Sequence, residues 1–262
     1  MIVIIMAGGM GKRMESELPK VLHEVIDPNN LNMKLPMIVH VLLRAIELKP
    51  KEIFVIVGKF RDIISETINI NIKLGIISET ININYVDQPN PMGTAHAISC
   101  VIPLINSSSY ASLNAIILSG DVPLISSNTL EKLIDKNSNK ILVTELDNPF
   151  GCGRILTDLF TKKIIGIREE KDCNDEEKNI SCVNCGIYQI KISTLIKLLP
   201  LITNNNKSQE YYLTDIIGLM ITNNIPIETC ILKKESQWEI KNVNTKNDLI
   251  LLNKFVKNMY TN

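Results

Sequence analysis

Neither sign of charge prevails in this 262-residue chain: Lys plus Arg and Asp plus Glu both total 28. With no basic surplus there is no signature of a nucleic-acid partner and no polybasic tail for an anionic membrane, so any anion must be met by a local site. Long apolar runs are missing as well, none reaching the roughly 18 residues that a membrane span requires. The chain opens directly on a core-like strand without the charged and apolar regions of a secretory leader, which gives the expectation of a cytoplasmic protein. Histidine is scarce, three residues in all. His96 falls in the first turn of a helix among small residues, where catalysis is a poor reading, and His23 and His40 carry no stronger signal. Six cysteines are scattered at 100, 152, 173, 182, 185 and 230, as in cytosolic chains. Cys182-Val-Asn-Cys185 is the sole CxxC, with neither a second pair nor a nearby His to complete a zinc site.

What is present is concentrated in the first twenty residues. The strand-like run Met1-Ile-Val-Ile-Ile-Met6 opens into Ala7-Gly8-Gly9-Met10-Gly11-Lys12-Arg13-Met14, and Leu18-Pro19-Lys20 follows. Three glycines in four positions let the backbone turn tightly and bring bare N–H groups to a ligand, while Arg13 and Lys20 supply cations for a polyphosphate. The loop matches neither of two better-known phosphate motifs. The third glycine of a dinucleotide fingerprint is replaced by Met14. The Ser or Thr that would follow Gly-Lys in a P-loop is Arg13. A plain strand-to-helix turn is the alternative reading of the loop alone.

Apolar runs of strand length alternate with helix-period segments, which argues for a mostly parallel sheet with covering helices. Residues 36–49 read as a helix with Pro36 at its start, and 52–57 as the second strand of a βαβ unit. Further strands are expected at 81–86, 115–119 and 141–145, with helices at 93–102 and 128–135. The stretch 63–71, Ile-Ile-Ser-Glu-Thr-Ile-Asn-Ile-Asn, returns at 76–84. Two short copies are too few for a solenoid, so the duplication reads as an extended helix–strand connection at the edge of the sheet. After residue 150 the runs shorten (154–156, 163–168, 185–192) and suggest an antiparallel addition. A helix is expected to start at Glu210, a strand to cover 227–232, and an amphipathic helix to run from Thr245 to Met259.

Asp121 follows the buried run 115–118 inside Ser119-Gly120-Asp121-Val122-Pro123. Ligands gather at the carboxyl ends of strands in open α/β sheets, so this carboxylate is a candidate for holding Mg²⁺, which accepts one or two carboxylates together with substrate phosphates. A turn Asp capping the next helix is an equal reading. Gln88 leads through Gly93-Thr94 into a helix and offers both a donor and an acceptor to a pyrimidine edge. By themselves Gly151-Cys152-Gly153-Arg154, Glu169 to Asp172 and Asn184 say little, and Asn244 would ordinarily cap the last helix.

Taken in order, these segments resemble the uridylyltransferase domain of the N-acetylglucosamine-1-phosphate uridylyltransferase family, within the sugar nucleotidyltransferases. The likeness rests on the glycine loop with Leu18-Pro19-Lys20-Val21-Leu22-His23, on Gln88 with Gly93-Thr94-Ala95-His96-Ala97, and on Gly120-Asp121-Val122-Pro123-Leu124-Ile125. Gly151-Cys152-Gly153-Arg154-Ile155, Glu169 with Lys171-Asp172, Asn184-Cys185-Gly186-Ile187 and Glu210 to Ile217 continue it across essentially the whole chain.

The resemblance implies a Rossmann-like three-layer α/β/α fold, with a mixed, mostly parallel sheet and a small antiparallel sugar-binding addition. It implies one domain over 1–262, with a nucleotide half (1–150), a sugar half (151–243) and a C-terminal helix (244–262). Met6, Ala7, Gly8, Gly9 and Arg13 would hold the nucleotide phosphates, Lys20 the charge near the reacting phosphate, and Gln88, Gly93 and Thr94 the uracil. Gly153, Glu169, Asn184 and Asn244 would hold the sugar, and Asp121 with Asn244 the Mg²⁺. The implied substrates are UTP and a sugar 1-phosphate, N-acetylglucosamine 1-phosphate first and glucose 1-phosphate as the alternative, and a binding protein without turnover is the reading from another class. Ser119 stands where the family often has an aromatic, and Met10 where a Lys is common. The acetyl-transferring β-helix domain of the bacterial family has no counterpart in the sequence, which leaves the oligomeric state open.

Overall fold

The computed structural model describes residues 1–9 and 11–261, with side chains to residue 259. Its elements in chain order are β1 (Ile2–Met6), β2 (Glu24–Asp27), β3 (Asn30–Pro36), α1 (Met37–Glu47), β4 (Ile53–Val57), α2 (Arg61–Lys73) and β5 (Ile83–Asp87). Then come α3 (Thr94–Ser99), α4 (Ile102–Ile105), β6 (Asn114–Ser119), α5 (Ser127–Leu133), β7 (Asn139–Glu145), β8 (Arg154–Thr157) and β9 (Ile164–Arg168). The chain closes with β10 (Cys182–Lys191), α6 (Ile192–Leu198), α7 (Asp215–Thr222), β11 (Ile227–Ile231) and α8 (Lys246–Thr261).

Period-two alternation builds the three layers. In β1, Ile2 and Ile4 face one core with Phe54 and Ile56 of β4 and Ala115 and Ile117 of β6, under α3, α6 and α7. Val3 and Ile5 face the opposite core with Ile53, Val55, Ile116 and Leu118, covered by α1, α2 and α5. Strands apolar on both faces are those of a doubly covered sheet. The sheet is mixed, in the order β11-β7-β10-β6-β1-β4-β5. The pairings β6–β1, β1–β4 and β4–β5 are parallel, so β1, β4, β5 and β6 all end at one edge.

The run expected within an antiparallel addition, 185–192, belongs as far as Lys191 to β10, which lies in the middle of the main sheet, antiparallel to both β6 and β7. The addition itself is the β8–β9 hairpin, joined to β10 through Val183 and Arg154. A run of Val, Ile and Tyr is equally suited to either place, and pairing partners decide. The β2–β3 hairpin has no counterpart among the expected strands, although its turn at Asp27-Pro28-Asn29 carries a readable signal, the Asn29 N–H donating to Asp27 Oδ1 at 3.0 Å. A third, smaller core under this hairpin receives Leu252 and Val256 of α8.

The two copies of the repeat fold differently. The first lies in α2, with Ile64 and Ile68 buried. The second passes through turns and enters β5, the edge strand, as the connection reading expects. The helix expected to begin at Glu210 begins only at Asp215. Residues 211–213 are held beside 92–95 instead, Tyr211 N–H donating to Met92 O (2.8 Å), Ala95 N–H to Tyr211 O (2.8 Å) and Leu213 N–H to Thr94 Oγ1 (2.9 Å). Backbone groups spent on these bonds are lost to a helix.

Candidate active site

The carboxyl ends of β1, β4, β5 and β6 open into one cleft. Met6, Gly8, Gly9, Lys20, Gln88, Gly93, Thr94, Asp121 and Glu210 line its first cavity, of about 250 Å³. A second cavity of about 330 Å³ adjoins it, sharing Met6, Thr94, Ser119 and Asp121 and adding Gly153, Glu169, Asn184, Tyr188 and Thr214. Arg13 and Asn244 stand in a third depression that meets the first at Lys20. The expected residues other than Ala7 thus converge from seven separated segments, with Asp121 at the junction of the two cavities.

Ala7 departs from expectation. It is buried and lines neither cavity, and its N–H donates to Ile56 O at 2.8 Å, so the amides left for an anion are those of Gly8 and Gly9. Gly11 has φ +58°, and a Cβ there would come 2.7 Å from Lys20 Cβ, so a side chain at this turn would push Lys20 aside. Met10 lies outside the described residues.

Lys20 Nζ forms an ion pair with Asp121 Oδ2 and donates to Asn244 Oδ1 at 3.1 Å. Arg13 Nη2 donates to the same Asn244 oxygen at 3.2 Å, and Ser119 Oγ to Asp121 Oδ1 at 2.6 Å. Asp121 caps no helix, since Ser126 Oγ accepts the Thr129 N–H at the start of α5. Nor does the Asn244 side chain cap α8. Thr245 does, its Oγ1 accepting the Asp248 N–H while Asp248 Oδ2 accepts the Thr245 N–H at 2.8 Å, a reciprocal capping box. Val243 N–H donates to Asp121 O at 3.1 Å, which brings Asn244 to the cleft with its side-chain oxygen turned to the cations.

Beyond β5, Gln88 N–H donates to Val57 O at 2.7 Å and its side chain is buried against the helix start at Gly93. Gly93 has φ +114°, and a Cβ would come 2.5 Å from Tyr211 O, so only glycine lets residues 210–213 close over the loop. In the second cavity β10 bulges between Asn184 and Tyr188. Asn184 Nδ2 donates to Tyr188 Oη at 2.7 Å, its Oδ1 accepts the Gly186 N–H at 2.8 Å, and its own N–H donates to Gly153 O at 2.9 Å. The bulge aims this amide at the cleft, a common use of bulges beside sites. Burial pushes the Glu169 carboxyl above the ordinary range; the Thr214 hydroxyl, donating at 2.8 Å, opposes this, while Asp215, Asp172 and Glu210 add to it. Burial pushes the Tyr188 hydroxyl up as well. Glu210 and Thr214 belong to a motif of the sequence without a role attached to it, and Tyr188 to none; each acquires its place only when distant segments meet.

The CxxC lies on β10, and burial raises both thiols, Cys182 to about 11. Among the described residues no group of three or more His, Cys, Asp and Glu is placed to hold a metal ion, and no helix is long and apolar enough to cross a membrane.

A family model described as nucleotidyl transferase matches residues 2–258. A protein of Acanthamoeba polyphaga mimivirus, named a probable UDP-N-acetylglucosamine pyrophosphorylase, is 40% identical over 257 residues, covering 94% of this chain and 92% of its own. The bifunctional protein GlmU of Nitrosomonas europaea is 38% identical over 253 residues, covering 95% of this chain and 50% of its own, so the chain spans about half the length of that relative. A solved structure from Bacillus anthracis, assigned as a glucose-1-phosphate thymidylyltransferase and bound to sucrose, superposes with a TM-score of 0.67 at 20% identity, covering 98% of this chain and 96% of its own, which shows the shared fold.

Proposed function

The chain belongs to the nucleotidyl transferase family, and from that premise we propose that it transfers UMP from UTP to N-acetyl-α-D-glucosamine 1-phosphate, releasing pyrophosphate. The observation that carries the reading is the junction of two cavities at Asp121, one lined by the glycine loop, Lys20 and Gln88, the other by Gly153, Glu169 and Asn184. The 40% identity to a relative named for UDP-N-acetylglucosamine favours the acetylated sugar.

In this reading the sugar 1-phosphate is already an anion and attacks the α-phosphorus of UTP in line, so the protein supplies alignment and positive charge rather than a general base. The N–H groups of Gly8 and Gly9 hold phosphate oxygens, Arg13 and Lys20 offset charge accumulating on pyrophosphate, and Gln88 faces the base. Glu169 and Asn184 accept and donate hydrogen bonds to sugar hydroxyl and amide groups, and Gly153 leaves the room. Mg²⁺ fits the donors Asp121 and Asn244, two oxygen ligands that already face a single cation, the Lys20 ammonium. When bound it would neutralise phosphate oxygens and orient the triphosphate.

Pyrophosphate release from UTP and Mg²⁺, with N-acetylglucosamine 1-phosphate set against glucose 1-phosphate and EDTA as control, tests the reading. Metal-dependent release favouring the acetylated sugar is expected. Release with glucose 1-phosphate alone would change the substrate, and none with either sugar would leave a binding protein. Asp121→Asn keeps the shape and removes the charge, and is expected to lower kcat by about 10²–10³-fold.

A further inference from the structure

Gln88 holds a primary amide in the first cavity, and a primary amide can face a ligand either way round. Its Nε2 stands 3.2 Å from Gly93 O and 3.1 Å from His96 Nδ1. The carbonyl can only accept, so the nitrogen side of the amide belongs there. The second Nε2 hydrogen then points at His96 Nδ1, which must carry a lone pair, with the imidazole proton on Nε2. Both amide hydrogens are thereby spent inside the protein, and Oε1 alone is left for the cleft. Its position is marked by the glycine loop, since a Cβ on Gly8 would lie 3.3 Å from it.

We propose that His96 is a positioning residue, whose Nδ1 lone pair holds the Gln88 amide with Oε1 turned into the cleft and so selects a base with a ring N–H donor. Uracil offers N3–H to that oxygen. Cytosine offers a lone pair at the same place, and two acceptors repel. His96 itself touches no base. It lies on the far side of Gln88, half-buried in the first turn of α3, where the same helix start presents Gly93 O. Removing the imidazole leaves one Nε2 hydrogen without a partner and frees the amide to turn, which weakens discrimination without touching the reacting phosphates. The inference rests on Gln88 reading the base in the proposed reaction.

The test compares kcat/KM for UTP and CTP in the wild type, His96→Leu, His96→Asn and Gln88→Leu. His96→Leu is expected to lower the UTP/CTP ratio about tenfold, the worth of one hydrogen bond, through KM for UTP with kcat nearly unchanged. His96→Asn can place its Oδ1 where Nδ1 stands and is expected to restore the ratio. A wild-type ratio in His96→Leu, or an Asn variant as poor as the Leu variant, overturns the positioning role. A wild-type ratio in Gln88→Leu instead overturns the base-reading role of Gln88, which keeps the two failures apart. Nitrogen-15 chemical shifts of the His96 ring in the wild-type protein decide the matter independently of variant folding. An unprotonated Nδ1 is expected, and a proton on Nδ1 overturns the proposal.

Discussion

Lys20 offers one charge to two oxygens, Asp121 Oδ2 and Asn244 Oδ1, and both are the ones assigned to the metal. An ion pair this shielded, with side chains 15% and 11% exposed, has lost most of its hydration and does not part freely. In the proposed reaction a divalent cation would therefore compete with the ammonium until a triphosphate draws Lys20 away. Lys20→Met is expected to tighten Mn²⁺ binding without nucleotide by roughly tenfold, read by calorimetry, and to cripple turnover. Unchanged Mn²⁺ affinity would separate Lys20 from the metal position. Glu169 carries a different tension. Its carboxyl is raised chiefly by burial, so the folded protein holds that proton more tightly than the unfolded chain does. The associated stability is present below the ordinary value of 4.5 and is lost as pH rises through the higher folded value. Glu169→Gln, which cannot ionise, is expected to melt higher than the wild type at pH 7, with the gap closing below pH 4.5, while KM for the sugar phosphate rises about 10–100-fold.

At the scale of elements, the repeated nonapeptide is a direct demonstration that local sequence underdetermines structure. In α2 its residues Ile64 and Ile68 face the sheet and are fully buried. In the second copy Ile77 is buried in a turn, Ile81 is half-buried, and Ile83 begins an edge strand paired to β4. Ile68→Ala is expected to cost about 2–5 kcal/mol, as for other truncations in a tight core, and the equivalent Ile81→Ala about 1 kcal/mol or less. Chemical denaturation of the two variants measures this, and equal losses would contradict the buried face of α2. The start of α8 shows the opposite case. Thr245-x-x-Asp248 is a capping signature visible in the sequence, and it relieves Asn244 of the capping duty that its own residue type suggests.

Across the whole molecule, the two cavities proposed for nucleotide and sugar are carried by one sheet. β10 pairs with β6 through 188–191 and with β7 through 182–189, while its bulge carries Asn184 to the second cavity. Unfolding β10 and the elements around the second cavity alone would strip β6 and β7 of a shared neighbour. Scanning calorimetry is accordingly expected to record one cooperative transition, and two resolved transitions would mean that the halves are independent. UTP with Mg²⁺ at about 100 times its Kd is expected to stabilise the protein by about 2.7 kcal/mol.

Much of the placement of the candidate site was legible because it is built from short motifs. Glycine spacing after β1, Gly120-Asp121 after β6 and Gln88 after β5 each state a backbone geometry and a chemistry within a few residues, and parallel strands bring their ends to one edge. The unbroken apolar run Ile2 to Ile5 likewise meant that both faces of β1 would be buried. Tertiary structure alone decided the rest. Ala7 lost its amide to β4, residues 211–213 gave up helix formation to bond 92–95, and 185–191 became part of a central strand by finding β6 and β7. It also brought Asn244 to Lys20, more than two hundred residues away in the chain. The physical reason is the same in each case. A backbone or side-chain polar group must find a partner when it is buried, and which partner is free depends on segments that no local window contains.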